Sequence, residues 1–269
     1  MSSSLPIGIF DSGIGGLTVA SAIHKLLPKE QLIYFGDTAH LPYGDKSSEA
    51  IKYYSLKIGK FLLEKKCKII VIACHTASSW AYQDLVDFLG NEIPIVSVIE
   101  PVVEKIIAQN KAKRIGVIGT RLTIKSNAYA KKIMAINPKI KVCSLATPLL
   151  APMIEEGFFN NQISHTVINS YLSSPKLKKI DSLILACTHY PLIQSDIDAF
   201  YKGKVEIIDP AEIVAEYVKS RLEELHLLSD VETHKRHQFF VSDYTTSFEK
   251  STRFFFGQQI HLIHQPIWD

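Results

Sequence analysis

Residues 71–80 read VIACHTASSW. Val71 and Ile72 continue a β-branched run that opens at Ile69, and Ala73 leads straight into Cys74. A strand of a parallel sheet, covered on both faces, has this uninterrupted apolar composition. The stretch then turns polar at once, through His75, Thr76 and Ser78. Ligands of open α/β sheets bind beyond the carboxyl ends of the strands, so this strand delivers a thiol to a candidate site.

Other short runs have the same character: PIGIF, QLIYFGD, IPIVSVI, RIGVIG, IKVCSLA, SLILAC and VEIID. Helical patterns lie between them: LTVASAIHKLL, SSEAIKYYSLKIGKFLLEK, ASSWAYQDLVDFLG, EPVVEKIIAQN, SNAYAKKIMAI and ISHTVINSYLSS. Strand and helix in alternation predict right-handed crossovers and a doubly wound, parallel-sheet α/β fold. A weak internal repeat runs through it. IGIFDSGIGGLT from Ile7 is similar to IGVIGTRLTIKS from Ile115, and VIACHTAS is similar to LILACTHY ending at Tyr190. Pairing Gly8 with Gly116, or Cys74 with Cys187, gives nearly the same offset. Two similar α/β halves facing each other would set Cys74 and Cys187 on opposite walls of one cleft.

Composition narrows the function. The chain has 269 residues, 46% hydrophobic and 21% charged, with a net charge of +3. Its lysines are scattered, which gives nucleic acid and membrane surfaces no basic patch to bind. Its apolar runs fall far short of the ~20 residues of a spanning helix. The opening MSSSLPIGIF lacks the basic and apolar regions of a secretory signal, so a cytoplasmic setting is expected. Cys67, Cys74, Cys143 and Cys187 contain no C-x-x-C pair, so no metal site is expected. Cys67 and Cys143 sit in core-like settings and are expected to be buried. His234 and His237, in the charged stretch THKRHQ, are expected on a solvated surface.

DSGIGG after the first strand offers two readings. Its third glycine position for a dinucleotide loop falls on Thr18, yet Asp37 would suit a ribose contact. Alternatively it is a tight turn into a helix, with backbone N–H groups free to hold a carboxylate. No G-x-S-x-G elbow exists for a serine hydrolase. A single Cys-His couple would fit a thiol hydrolase, but here both cysteines have a histidine close by: His75 beside Cys74, and His189 two residues after Cys187. Two facing thiols have a different use. One removes a proton from a carbon acid and the other returns one to the opposite face.

FDSGIGGLTV, GDTAHLPYG, ACHTAS, IGVIGTRLTIKSNAY, TPLLAPMIEEG and LILACTHYPL, in this order, resemble the cofactor-independent glutamate racemases of the aspartate/glutamate racemase superfamily. The similarity covers nearly the whole chain, and SFEKSTRFFFG looks like the family's C-terminal helix. The resemblance implies two α/β domains related by pseudo-twofold symmetry, with the active site between them. Residues 1–98 and 210–269 would form the first and 99–209 the second. It implies that Cys74 removes the α-proton of D-glutamate and Cys187 that of L-glutamate, assisted by Asp11 and His189. Ser12, Pro42, Tyr43, Gly44, Thr76 and Thr188 would hold the substrate, Glu155 would orient the histidine, and Thr120 and Thr123 would line the site. No cofactor is implied, the product would be D-glutamate for peptidoglycan, and a homodimer is compatible.

Two positions depart from the family. His75 stands where asparagine is usual; a cationic His75 would favour a thiolate at Cys74 and bind a carboxylate but repel an ammonium. The departure bears on rate, pH optimum or substrate, leaving aspartate or broad-specificity racemisation, or an impaired amino-acid binder, as alternatives. VSDYTTSF replaces a T-G-D-like turn, with a local effect expected.

Overall fold

The computed structural model describes residues 2–230 and 236–268. The first half alternates β1 (Ile7–Asp11), α1 (Leu17–Leu26), β2 (Leu32–Gly36), α2 (Ser48–Glu64), β3 (Ile69–Ile72), α3 (His75–Leu89), β4 (Ile95–Ser97) and α4 (Ile99–Gln109). The second contains β5 (Arg114–Gly119), α5 (Arg121–Ser126), α6 (Ala128–Ile136), β6 (Lys141–Ala146), α7 (Leu150–Glu155), α8 (Gln162–Leu172), β7 (Ser182–Ala186), α9 (Gln194–Tyr201) and β8 (Glu206–Ile208). Then follow α10 (Pro210–Glu224), β9 (Gln238–Val241), α11 (Thr246–Phe256) and β10 (Ile263–His264).

All pairings are parallel, in two sheets of order β10-β9-β2-β1-β3-β4 and β6-β5-β7-β8. Strands β2-β1-β3-β4 and β6-β5-β7-β8 thus repeat one topology, as the sequence repeat suggested. In each half the central strand (β1 or β5) lies beside the strand that ends at a cysteine (β3 or β7).

Alternation along the strands feeds two cores. Ile7, Ile9, Ile69 and Val71 point into a core that continues into the second half, whereas Phe10, Ile70 and Ile72 pack with Ile51, Ile58 and Leu85 of α2 and α3. Each fully buried side chain of this size contributes about 1.5–3 kcal/mol. The sheets are therefore rigid platforms, and their carboxyl-end turns are held in fixed register.

Several expectations need correction. Helices α7, α9 and α10 and strands β9 and β10 fall outside the strand and helix patterns of the sequence. Asp209 caps α10 by accepting from Ala211 N–H at 2.9 Å, Pro210 occupies its first turn, and the helix packs on α1 and α4. Cys143 is half-buried, because β6 is an edge strand covered incompletely. His237 is also half-buried, its Nδ1 accepting from Leu32 N–H at 3.1 Å, and His234 lies outside the described residues. VSDYTTSF acts beyond its own turn: Ser242 Oγ donates to Asp37 and accepts from Ala39 N–H. Among the described residues no helix is long and apolar enough to cross a membrane.

Candidate active site

Four strand ends deliver the site. Asp11 closes β1, Cys74 stands two residues past β3, Thr120 follows β5 and Cys187 follows β7. Cys74 is also the N-cap of α3, where its Sγ accepts from Ala77 N–H at 3.5 Å. Both thiols line one cavity of ≈ 40 Å³. Ser12, Pro42, Tyr43, Gly44, His75, Thr76, Thr120, Glu155, Thr188 and His189 line it too. Asp11 and Thr123 stand behind that wall. A larger cavity of ≈ 510 Å³ lies elsewhere, among α1, α10 and α11, and neither thiol lines it.

DSGIGG is a tight turn rather than a dinucleotide loop. Asp11 is fully buried, and its Oδ2 accepts from Gly13 N–H at 3.1 Å and Gly16 N–H at 3.0 Å. The carboxylate thus occupies backbone donors that a phosphate would need. Asp37 is likewise committed, accepting from Tyr43, Ser242, Trp268 and His40, which leaves nothing for a ribose.

Close contacts join the halves around the cavity. A Cβ on Gly15 would lie 2.4 Å from His189 Cε1, and one on Gly44 would lie 2.6 Å from Thr120 Cβ, so only glycine admits these approaches. Thr76, Thr120 and Thr123 form a triangle of hydroxyls with edges of 3.0, 2.9 and 2.9 Å. Thr120 also caps α5 through Thr123 N–H. Thr18 Oγ1 donates to Thr188 O at 3.1 Å. Tyr43 lines the cavity, while its hydroxyl donates at 2.7 Å to Oδ2 of Asp37, which does not line it.

The electrostatics of the two thiols differ. Burial, and then the neighbouring Asp11, push the Cys74 thiol up to about 12. Cys187 Sγ lies 3.7 Å from His189 Nδ1, and His189 Nε2 lies 2.8 Å from Glu155 Oε1. Burial opposes a charge on His189, but the hydrogen bonds and negative charges of Cys187 and Glu155 prevail and hold it well above the usual histidine range. An imidazolium there points a donor at the Cys187 sulfur. Burial raises Asp11 above the usual carboxylate range, against the opposing charge of His189.

His75 is not the cation considered from the sequence. It is 3% exposed, and burial alone drops its ring to about 3. Both ring nitrogens lack a protein partner. A neutral ring in the cavity wall carries no charge with which to repel an ammonium or attract a thiolate.

The family model described as Asp/Glu/Hydantoin racemase matches residues 10–218. The chain belongs to that family, among its glutamate racemases. It is 43% identical to the glutamate racemase of Geobacter metallireducens over 96% of this chain and 95% of that one. With the Chlorobaculum parvum glutamate racemase it shares 40% identity over 97% and 95% of the two chains. The crystal structure of the Francisella tularensis glutamate racemase, in complex with D-glutamate, superimposes with a TM-score of 0.92. That pair is 38% identical and covers 99% of each chain.

Proposed function

We propose that this racemase interconverts L- and D-glutamate by proton transfer at the α-carbon, with Cys74 and Cys187 serving opposite faces and no cofactor. What carries the reading is that thiols from two topologically matching strand ends line one small cavity. The division into residues 1–98 with 210–269 and 99–209 then puts one thiol in each half.

From L-glutamate, the Cys187 thiolate takes the α-proton: the Cα–H bond breaks, an S–H bond forms, and the electron pair stays on the substrate as a carbanion. The Cys74 thiol then gives its proton to the other face, leaving D-glutamate and a Cys74 thiolate. The reverse direction exchanges the roles. His189, held by Glu155, stabilises charge at Cys187. Raised towards 12, Cys74 rests as the thiol and starts as the acid. The Ser12, Thr76 and Thr188 hydroxyls and the backbone of the turn at 42–44 are available to the substrate, their O–H and N–H groups as donors to its carboxylates and their oxygens as acceptors for its ammonium. Working thiols suit a reducing, cytoplasmic compartment, and D-glutamate would serve peptidoglycan.

Circular dichroism of each glutamate enantiomer tests the proposal. Cys74→Ser and Cys187→Ser are each expected to abolish racemisation, and wild-type turnover in D₂O to place deuterium at Cα. Full activity in either variant, or binding with no loss of optical rotation in the wild type, overturns it. Aspartate run in parallel reports substrate breadth.

A further inference from the structure

Asp37 is buried beside the site but does not line the cavity. Four side chains converge on it, His40 and Tyr43 from its own loop and Ser242 and Trp268 from more than two hundred residues away. Its Oδ2 accepts from Tyr43 Oη at 2.7 Å and His40 Nδ1 at 2.9 Å. Its Oδ1 accepts from Ser242 Oγ at 2.7 Å and Trp268 Nε1 at 3.0 Å. One carboxylate thus joins the loop carrying the Pro42–Gly44 wall to the turn after β9 and to the segment beyond β10.

That segment is held along its length. Gln265 N–H donates to Val241 O at 2.8 Å, His264 Nε2 donates to Ser242 O at 3.2 Å, and β10 pairs with β9. The Trp268 indole lands edge-on to His40 at 4.5 Å, and His40 stacks on Tyr54 at 4.0 Å. Lys57 Nζ sits 5.3 Å from the indole centroid. The indole is both a packing piece and a charge-assisted donor, and such donors are worth more than neutral ones.

We infer that Trp268 is a positioning residue of the active site. Its N–H on Asp37 orients the carboxylate, the carboxylate fixes the Tyr43 hydroxyl, and Tyr43 sets the Pro42–Gly44 wall against Thr120. Trp268 acts through Tyr43 and does not touch substrate. The inference rests on the reading of this cavity as the glutamate site. It assigns the segment at 263–268 a part in substrate affinity, which the cavity-lining residues alone do not reveal.

The test is a double-mutant cycle with Trp268→Phe, which keeps an aromatic ring but removes the N–H, and Tyr43→Phe, which removes the hydroxyl from Asp37. Each single variant is expected to raise KM for both glutamate enantiomers by about fivefold or more, with kcat within about twofold. The double variant is expected to be no worse than the poorer single one, because both substitutions break one linkage. Trp268→Phe with an unchanged KM, a fall in kcat alone, or effects that multiply in the double variant overturns the inference. Thermal unfolding of each variant separates a shifted wall from a lost fold, and unchanged KM ratios in destabilised variants also count against it. A wild type that does not racemise glutamate would instead defeat the functional reading, so the two failures are distinguishable.

Discussion

Glu155 Oε1 lies 2.8 Å from His189 Nε2, and the other nitrogen of that ring faces Cys187. The carboxylate comes from α7 and the histidine from the turn after β7, so the pair joins two elements of the second half at the cavity wall. The arrangement sets an imidazolium against one thiol of the pair, while burial pushes the other, Cys74, up to about 12.

Replacing Glu155 by Gln keeps the contact but removes the charge. Charged hydrogen bonds of this kind are worth about 1.5–3 kcal/mol, so kcat/KM should fall about 10- to 100-fold. Because Glu155 helps to raise His189, the alkaline limb set by loss of the imidazolium should move to lower pH. Initial rates from L-glutamate across pH 7–10 check both expectations; an unmoved limb refutes the assigned role.

His75 makes stability depend on acid. Its ring is held near 3 in the folded protein and returns to about 6.5 in the unfolded chain. Between those values the unfolded chain binds more protons, so stability is full above about pH 6.5 and falls as pH drops towards 3. The expected slope from this group is about 1.4 kcal/mol per pH unit. Urea unfolding of wild type and His75→Asn at pH 7 and pH 5 reads it: the variant should lose less stability on acidification.

The same neutrality bears on catalysis. His75 does not change charge between pH 6 and 8, so it should contribute no limb to kcat/KM in that range. His75→Asn is expected to alter the height of the profile without moving its midpoints. A midpoint near 6.5 that disappears in the variant would contradict the buried, neutral ring.

Gly15→Ala should damage the site without unfolding the protein. The new Cβ would fall 2.4 Å from His189 Cε1 and 2.7 Å from Thr188 Oγ1, which forces the halves apart or turns the ring. Overpacking of this kind costs about 1–3 kcal/mol, and a comparable loss at the reacting geometry gives about a 10- to 100-fold fall in kcat/KM. Polarimetry with a melting curve on the same sample decides between local and global effects.

Reactivity should separate the thiols. Cys74 and Cys67 are both pushed up to about 12, chiefly by burial, whereas Cys187 faces an imidazolium. In a Cys143→Ala background, iodoacetamide at pH 7.5 should label Cys187 well before either. Peptide mass spectrometry gives the order, and D-glutamate should protect Cys187.

The strands that build the site were legible because each is a short β-branched run, and a strand covered on both faces needs that composition wherever it lies. Helix α10 carries comparable signals, with Asp209 and Pro210 at its start and Val214, Val218 and Leu222 about one turn apart, but the charges between them mask its apolar period. Strand β10 is different: two exposed residues at the sheet edge have no pattern that separates them from loop, while β9, paired on both sides, is a buried apolar run of only four residues. Their pairing with β2 and with each other comes from distant partners.

By itself the sequence determined the alternation of strand and helix, the repeat of the two halves, and the arrival of Cys74 and Cys187 just past strand carboxyl ends. Those are local properties, set by side-chain type and spacing. Only the tertiary structure decided that both thiols line one cavity, that Tyr43 turns its hydroxyl to Asp37, and that His75 stays neutral. Each of these depends on burial and on partners far away in the chain, which no spacing along one segment specifies.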